Sequence, residues 1–254
     1  MADIDLHTLL DLVGTLTDST ESGSASERFR KYLSNNVTSA TDIRAYIEVA
    51  LSQVGDQYNK SLQDLINHIG QLLGFEVTFG RYRGVRGQVG FDGLWKSPSS
   101  GWAVVVEVKT TDVYAVKTAT VLGYINSLVS DNAVTSPDKA LGLYVYGRFD
   151  SYTNQLENAI IVENRRERLR VVSVPALIDL LELKQEYGLD HSTVLNLLLP
   201  FPVRIDPIVN LIRNVVAQEQ EKELLVQEEE AIPVEHSTDA IEPVAEVPMH
   251  KPRR

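Results

Sequence analysis

Between Trp102 and Lys109 the chain reads WAVVVEVK, and no other stretch restricts the fold so tightly. Side chains on a strand alternate between faces, so Trp102, Val104, Val106 and Val108 point one way and Ala103, Val105, Glu107 and Lys109 the other. Both faces begin apolar, the pattern of a central strand covered on two sides by helices. Only the C-terminal end turns polar, and on one face alone. An unpartnered buried carboxylate or ammonium is expensive, so Glu107 and Lys109 must satisfy each other or bind something.

The surrounding pattern predicts the other layers. Residues 1–56 read as a helical N-terminal segment, with Leu6, Leu9, Leu10 and Val13 on one face and Ser39 before Asp42 resembling a capping box. Leu62, Leu65, Ile66, Ile69, Leu72 and Leu73 recur at helical spacing up to a stop at Gly74. Strands are expected at 75–79, 87–95, 102–109, 140–147 and 169–174, with a helix over 111–129 and a shorter one before the last strand. PALIDLLELKQEYG then gives a helix with proline at its start and glycine at its stop. This order predicts an α/β three-layer α/β/α sandwich with a mixed sheet. The expected divisions are the helical segment at 1–56, a core at 57–187, a C-terminal helical extension at 188–216, and an acidic tail at 217–254. A helix is expected to continue into that tail as far as Leu225, with disorder elsewhere in it.

Composition narrows the chemistry. The absence of cysteine excludes disulfides, thiolate zinc sites and cysteine nucleophiles. No run reaches the length of a transmembrane helix and the start MADIDLHTLL is acidic, which assigns the chain to the cytoplasm with no membrane partner. The net charge of -11 argues against nucleic acid, but residues from Ala217 onward hold ten acids and four bases. The body is only mildly acidic, and its bases cluster.

Asp92 lies on the preceding strand, on the opposite face from Val89 and Phe91. If the two strands pair as a hairpin, Asp92 approaches Glu107. Two carboxylates converging beside a lysine suit magnesium, which takes one or two carboxylates and completes its shell with water and substrate phosphate. Such a site would hydrolyse phosphodiesters.

Asp92, a fifteen-residue step, then Glu107-Val108-Lys109 resembles the PD-(D/E)xK, or restriction endonuclease-like, nuclease superfamily. The resemblance covers about residues 60–187. It implies that Asp92 and Glu107 hold the metal, that the Val108 carbonyl adds a ligand, and that Lys109 positions or activates the water. Many members carry a glutamate in the first core helix where this chain has Gln63 followed by Asp64, so either residue is expected to assist. Phe91 stands in place of the usual proline, and Thr120 stands four residues before Tyr124 where one exonuclease branch has glutamine.

Several alternatives stay open at this stage. The same letters in Glu182-Leu183-Lys184 fall on a helical pattern, where positions two apart do not share a face. Glu107 and Lys109 could form a strand-end ion pair, and Asp92-Gly93 could be a turn dipeptide. GRYRGVRGQ at 80–88 offers Arg81, Arg83 and Arg86 to backbone phosphates, or is a solvated turn. Lys117 could reach phosphate; ENRRERLR at 163–170 reads mainly as an exposed connector and His68 as structural. The leading expectation is a Mg2+-dependent DNA endonuclease of restriction, defence or repair, with Mn2+ as a substitute and RNA as a second substrate class. Double-strand cleavage would favour a homodimer or larger assembly, and the acidic tail would recruit a partner protein. The alternative is a catalytically inactive nuclease-fold module that binds nucleic acid or protein.

Overall fold

Among the described residues the apolar segment is the middle strand of five. The computed structural model describes residues 4–85, 89–109, 117–147, 151–199 and 202–231, the side chains of 151–152 and 223–231 excepted. The strands β1 (Glu76–Phe79), β2 (Gly93–Lys96), β3 (Ala103–Lys109), β4 (Ala140–Tyr146) and β5 (Leu169–Ser173) lie side by side in chain order. The first two pairings are antiparallel and the last two parallel. Parallel neighbours require crossover connections. Here α5 (Thr118–Ser130) lies between β3 and β4, and α6 (Ser151–Val162) between β4 and β5.

Every residue of β4 and the first five of β3 are buried, as two-sided cover demands. On one face Leu94, Ala103, Val105 and Tyr144 join Val121 and Ile125 of α5 in a single apolar cluster. On the other face lie α4 (Asp56–Leu72), which packs on β1 and β2, and α7 (Val174–Tyr187), which packs on β5. The result is an α/β three-layer sandwich with a mixed sheet, compatible with a restriction endonuclease-like fold.

The local signals operate as read. Ser39 Oγ accepts the Asp42 N–H at 3.1 Å and caps α3 (Ala40–Ser52). Pro175 sits in the first turn of α7, and Gly188 ends it in the left-handed conformation at φ 66°. The N-terminal helices α1 (Leu6–Val13), α2 (Ala25–Asn36) and α3 are not an appendage: Met1–Asn214 form one unit. Within it α3 packs on α4 and α7, and Gln185 of α7 accepts from Ala40 N and donates to Thr38 O.

Three boundaries differ from the pattern. Helix α4 begins at Asp56, six residues before Leu62, the first position of the apolar repeat. The second strand begins at Gly93: residues 89–92 of the expected span are not strand, and 87–88 lie outside the described residues. The Asp92 carboxylate takes the Val108 N–H that a main-chain carbonyl further upstream would otherwise accept, so the regular ladder stops there. After α8 (His191–Leu198), α9 (Asp206–Ala231) continues beyond Leu225. The helix expected over 111–129 is described from Thr118 onward. Residues 110–116, 232–254 and Arg86 lie outside the described residues. No helix among the described residues is long and apolar enough to cross a membrane.

Candidate active site

The β2–β3 register pairs Gly93 with Val106, which sets the preceding Asp92 across from Glu107. Asp92 occupies a bend at the strand entrance, held on both sides: its N–H donates to Val106 O at 3.0 Å, and its carbonyl accepts the Gly80 N–H at 2.9 Å. Its Oδ2 accepts the Val108 N–H at 2.6 Å, so a side chain closes the end of the ladder. Glu107, 8% exposed, accepts from Lys109 Nζ at 2.5 Å through Oε1. Its Oε2 is buried with no hydrogen-bond partner among the described residues. Alternation along β3 puts Lys109 on the same side as Glu107.

The electrostatics follow from this crowding. Burial pushes the Asp92 carboxyl up to about 7, and the Glu107 charge pushes the same way. The Val108 N–H and the Lys109 ammonium oppose the shift without cancelling it. Two nearby phenols register the same negative field. Burial raises Tyr124 on α5 and Tyr144 on β4, and Glu107 adds to both, with Asp92 adding to Tyr124. An open groove of about 730 Å³, lined by Val89, Thr120, Gly123, Tyr124 and Ser127 among others, runs along α5. Tyr124 enters the sequence reading only for the absence of a glutamine before it. The signal that could have singled it out is its place as an aromatic on the helix that follows the charged strand end.

Other expected site residues lie elsewhere or act differently. Asp64 is fully buried, and both its oxygens are taken: Arg30 Nε and Nη2 donate at 2.9 and 3.0 Å, and Tyr82 Oη donates at 2.6 Å. The expectation that Asp64 is a metal ligand is corrected to a structural ion pair. Gln63 donates from Nε2 to the main-chain carbonyls of Arg81 and Asp92, at 3.3 and 3.2 Å, so it meets the backbone beneath the site and not the carboxyl groups. Among the described residues no group of three or more acids, histidines or cysteines is arranged to hold a metal. Val108 is tied to the site by its N–H.

The basic loop is likewise tethered. The Asp18 carboxylate accepts the N–H groups of Tyr82 and Arg83 at 2.8 and 3.2 Å, and Arg83 faces Asp56 at 3.9 Å. Arg81 is half-buried beside Gln63, and Lys117 is exposed at the start of α5. Arg170 from the 163–170 run is buried in β5, where it donates to the carbonyls of Arg166, Leu169 and Leu199, so that run is not simply a connector. His68 is structural: its Nε2 meets Val37 O at 2.6 Å and its Nδ1 meets Gln71 Oε1 at 3.0 Å. Glu182 and Lys184 sit on α7, where Glu182 pairs with Arg44 and Lys184 reaches Leu189 O.

No protein-family model matches the chain, and no curated protein matches it. Among solved structures it is similar to the restriction endonuclease FokI bound to DNA, at a TM-score of 0.41 and 16% identity. The match covers 61% of this chain and 28% of that one, so the chain spans less than a third of that protein's length.

Proposed function

We propose that the chain is a metal-dependent nuclease that hydrolyses phosphodiester bonds at the C-terminal end of β3. One observation carries the reading: Asp92 feels the charge of Glu107 across the hairpin, the one ammonium beside them is paired with Glu107, and Glu107 Oε2 is buried with no hydrogen-bond partner among the described residues. That donor set suits a hard divalent cation, Mg2+ or Mn2+, which commonly uses only one or two protein carboxylates. Asp92 and Glu107 would hold it, the latter through Oε2, and the Val108 carbonyl would complete the protein's share. The bound ion would supply Lewis acidity and a more acidic water. Asp92, neutral for much of its time near pH 7 without the ion, must give up its proton to become a ligand. Lys109, about a third exposed, is placed to orient the attacking water and to offset charge growing on the phosphate oxygens as the P–O bond breaks.

DNA is the proposed substrate, with RNA the second class. A restriction, defence or repair setting in the cytoplasm suits the chemistry, and paired copies would be needed to cut both strands. The expected weakness is non-specific affinity, since the net charge is -11 and Asp18 and Asp56 face the loop arginine Arg83. A second reading, a nuclease-fold module that binds without cutting, is favoured by the locking of Asp64 to Arg30, which leaves two acids. The test is incubation with plasmid and with short RNA in Mg2+, in Mn2+ and in chelator. Metal-dependent cutting lost in Asp92→Ala and Lys109→Ala supports the enzyme. Tight binding without cutting supports the module, and neither result leaves only a structural ion pair.

A further inference from the structure

The main-chain carbonyl of Asp92 receives more donors than it needs. The Gly80 N–H supplies a ladder bond at 2.9 Å. From α4, Asn67 Nδ2 donates to the same oxygen at 2.9 Å and Gln63 Nε2 at 3.2 Å. A carbonyl oxygen has two lone pairs, so three donors are one more than it can fully pair with. Asn67 is fully buried and fully engaged, since Nδ2 also donates to Gln63 O at 3.0 Å and Oδ1 accepts from Trp95 Nε1 at 2.8 Å. The chain makes room for this amide. A Cβ at Gly93 would lie 1.9 Å from Asn67 Oδ1, and a Cβ at Gly70 would lie 2.5 Å from the Trp95 ring. Both glycines let α4 come close to β2.

From this geometry we infer that Asn67 and Gln63 are positioning residues. They clamp the peptide that follows Asp92 and thereby aim its carboxyl at the Glu107 side chain. The inference rests on the metal-site reading above. Asp92 needs such support because the regular ladder begins only at Gly93, and its own side chain is spent partly on the Val108 N–H. Supporting partners of a metal ligand commonly alter metal affinity or activity about 10- to 100-fold when lost.

The test uses the full chain and Mn2+ as the probe, with binding followed by electron paramagnetic resonance. Wild type is compared with Asp92→Ala, Gln63→Leu and Asn67→Ala, and thermal melting is recorded for each. Gln63→Leu keeps the bulk of the side chain and leaves the Asn67–Trp95 bond intact, so it guards against a folding failure in Asn67→Ala. The clamp predicts that Asp92→Ala abolishes binding and that Gln63→Leu weakens it about 10-fold while melting as wild type does. On DNA, kcat should fall at saturating metal with KM unchanged, a split that a purely structural amide would not produce. If Asp92→Ala abolishes binding while folded Gln63→Leu binds Mn2+ like wild type, the clamp is wrong and the site stands. If Asp92→Ala binds like wild type, the site itself is wrong.

Discussion

Asp64 on α4 and Asp92 at the entrance of β2 are both buried carboxylates, yet their surroundings make them opposites. Asp64 has every need met: a two-pronged guanidinium from Arg30, a phenol from Tyr82, and Phe79 stacked 4.3 Å under that guanidinium. Burial still raises its carboxyl, but the first opposing influence is Arg30, and the site is closed to any further cation. Asp92 has one backbone N–H, a facing acid, and an ammonium already committed to that acid at 2.5 Å. A buried acid with a full set of partners is architecture. Two neighbouring acids with a single ammonium bound to one of them are short of positive charge, and that shortage is what a divalent ion would relieve.

The contrast can be broken at several points. The largest effect should come from Arg30→Ala, which strands a buried carboxylate and should cost about 3 kcal/mol in urea denaturation. A loss below about 1 kcal/mol would mean that Asp64 is not the structural member of the two. Next, Asp92→Asn should stabilise the metal-free protein at pH 8 by about 2 kcal/mol, since the wild-type carboxyl must ionise in an unfavourable place. The sign follows from the titration. Folded Asp92 holds its proton up to about 7 and the unfolded chain only to about 3.8, so stability from this group is full below the lower value and lost as pH rises through the higher one. The gap between variant and wild type should therefore close on acidification to about pH 4.

Tyr82→Phe removes one hydrogen bond from Asp64 and should cost about 1 kcal/mol, leaving Mn2+ binding unchanged. Arg83→Ala should alter stability by less than about 0.5 kcal/mol, because its pairing with Asp56 is long and exposed. Any reduction in DNA affinity from that change, read by filter binding at low salt, would show that the loop contacts phosphate despite its tether.

What could be read from the sequence was what alternation and local punctuation encode. The parity of WAVVVEVK places Glu107 and Lys109 together beneath two apolar covers, and Ser39, Pro175 and Gly188 mark helix ends through bonds within a few residues. What escaped were partners distant along the chain. Arg30 is 34 residues from Asp64, and Asp18 is 64 residues from Tyr82. No periodicity announces such pairs, so Asp64 looked available and the arginine loop looked unrestrained. The start of β2 was misjudged for a related reason. GQVGF alternates like a strand, but Asp92 substitutes its side chain for a main-chain acceptor, and that choice is made by the Val108 N–H across the hairpin.

The most direct measurement is thermal unfolding of wild type and Asp92→Asn, each with and without Mg2+ at pH 8. Relief of the same charge by two routes should not add: Mg2+ should raise the wild-type Tm by about 3 °C, Asp92→Asn should melt above metal-free wild type, and Mg2+ should then leave the variant unmoved. A variant that melts below metal-free wild type, or that responds to Mg2+ as wild type does, would contradict the account.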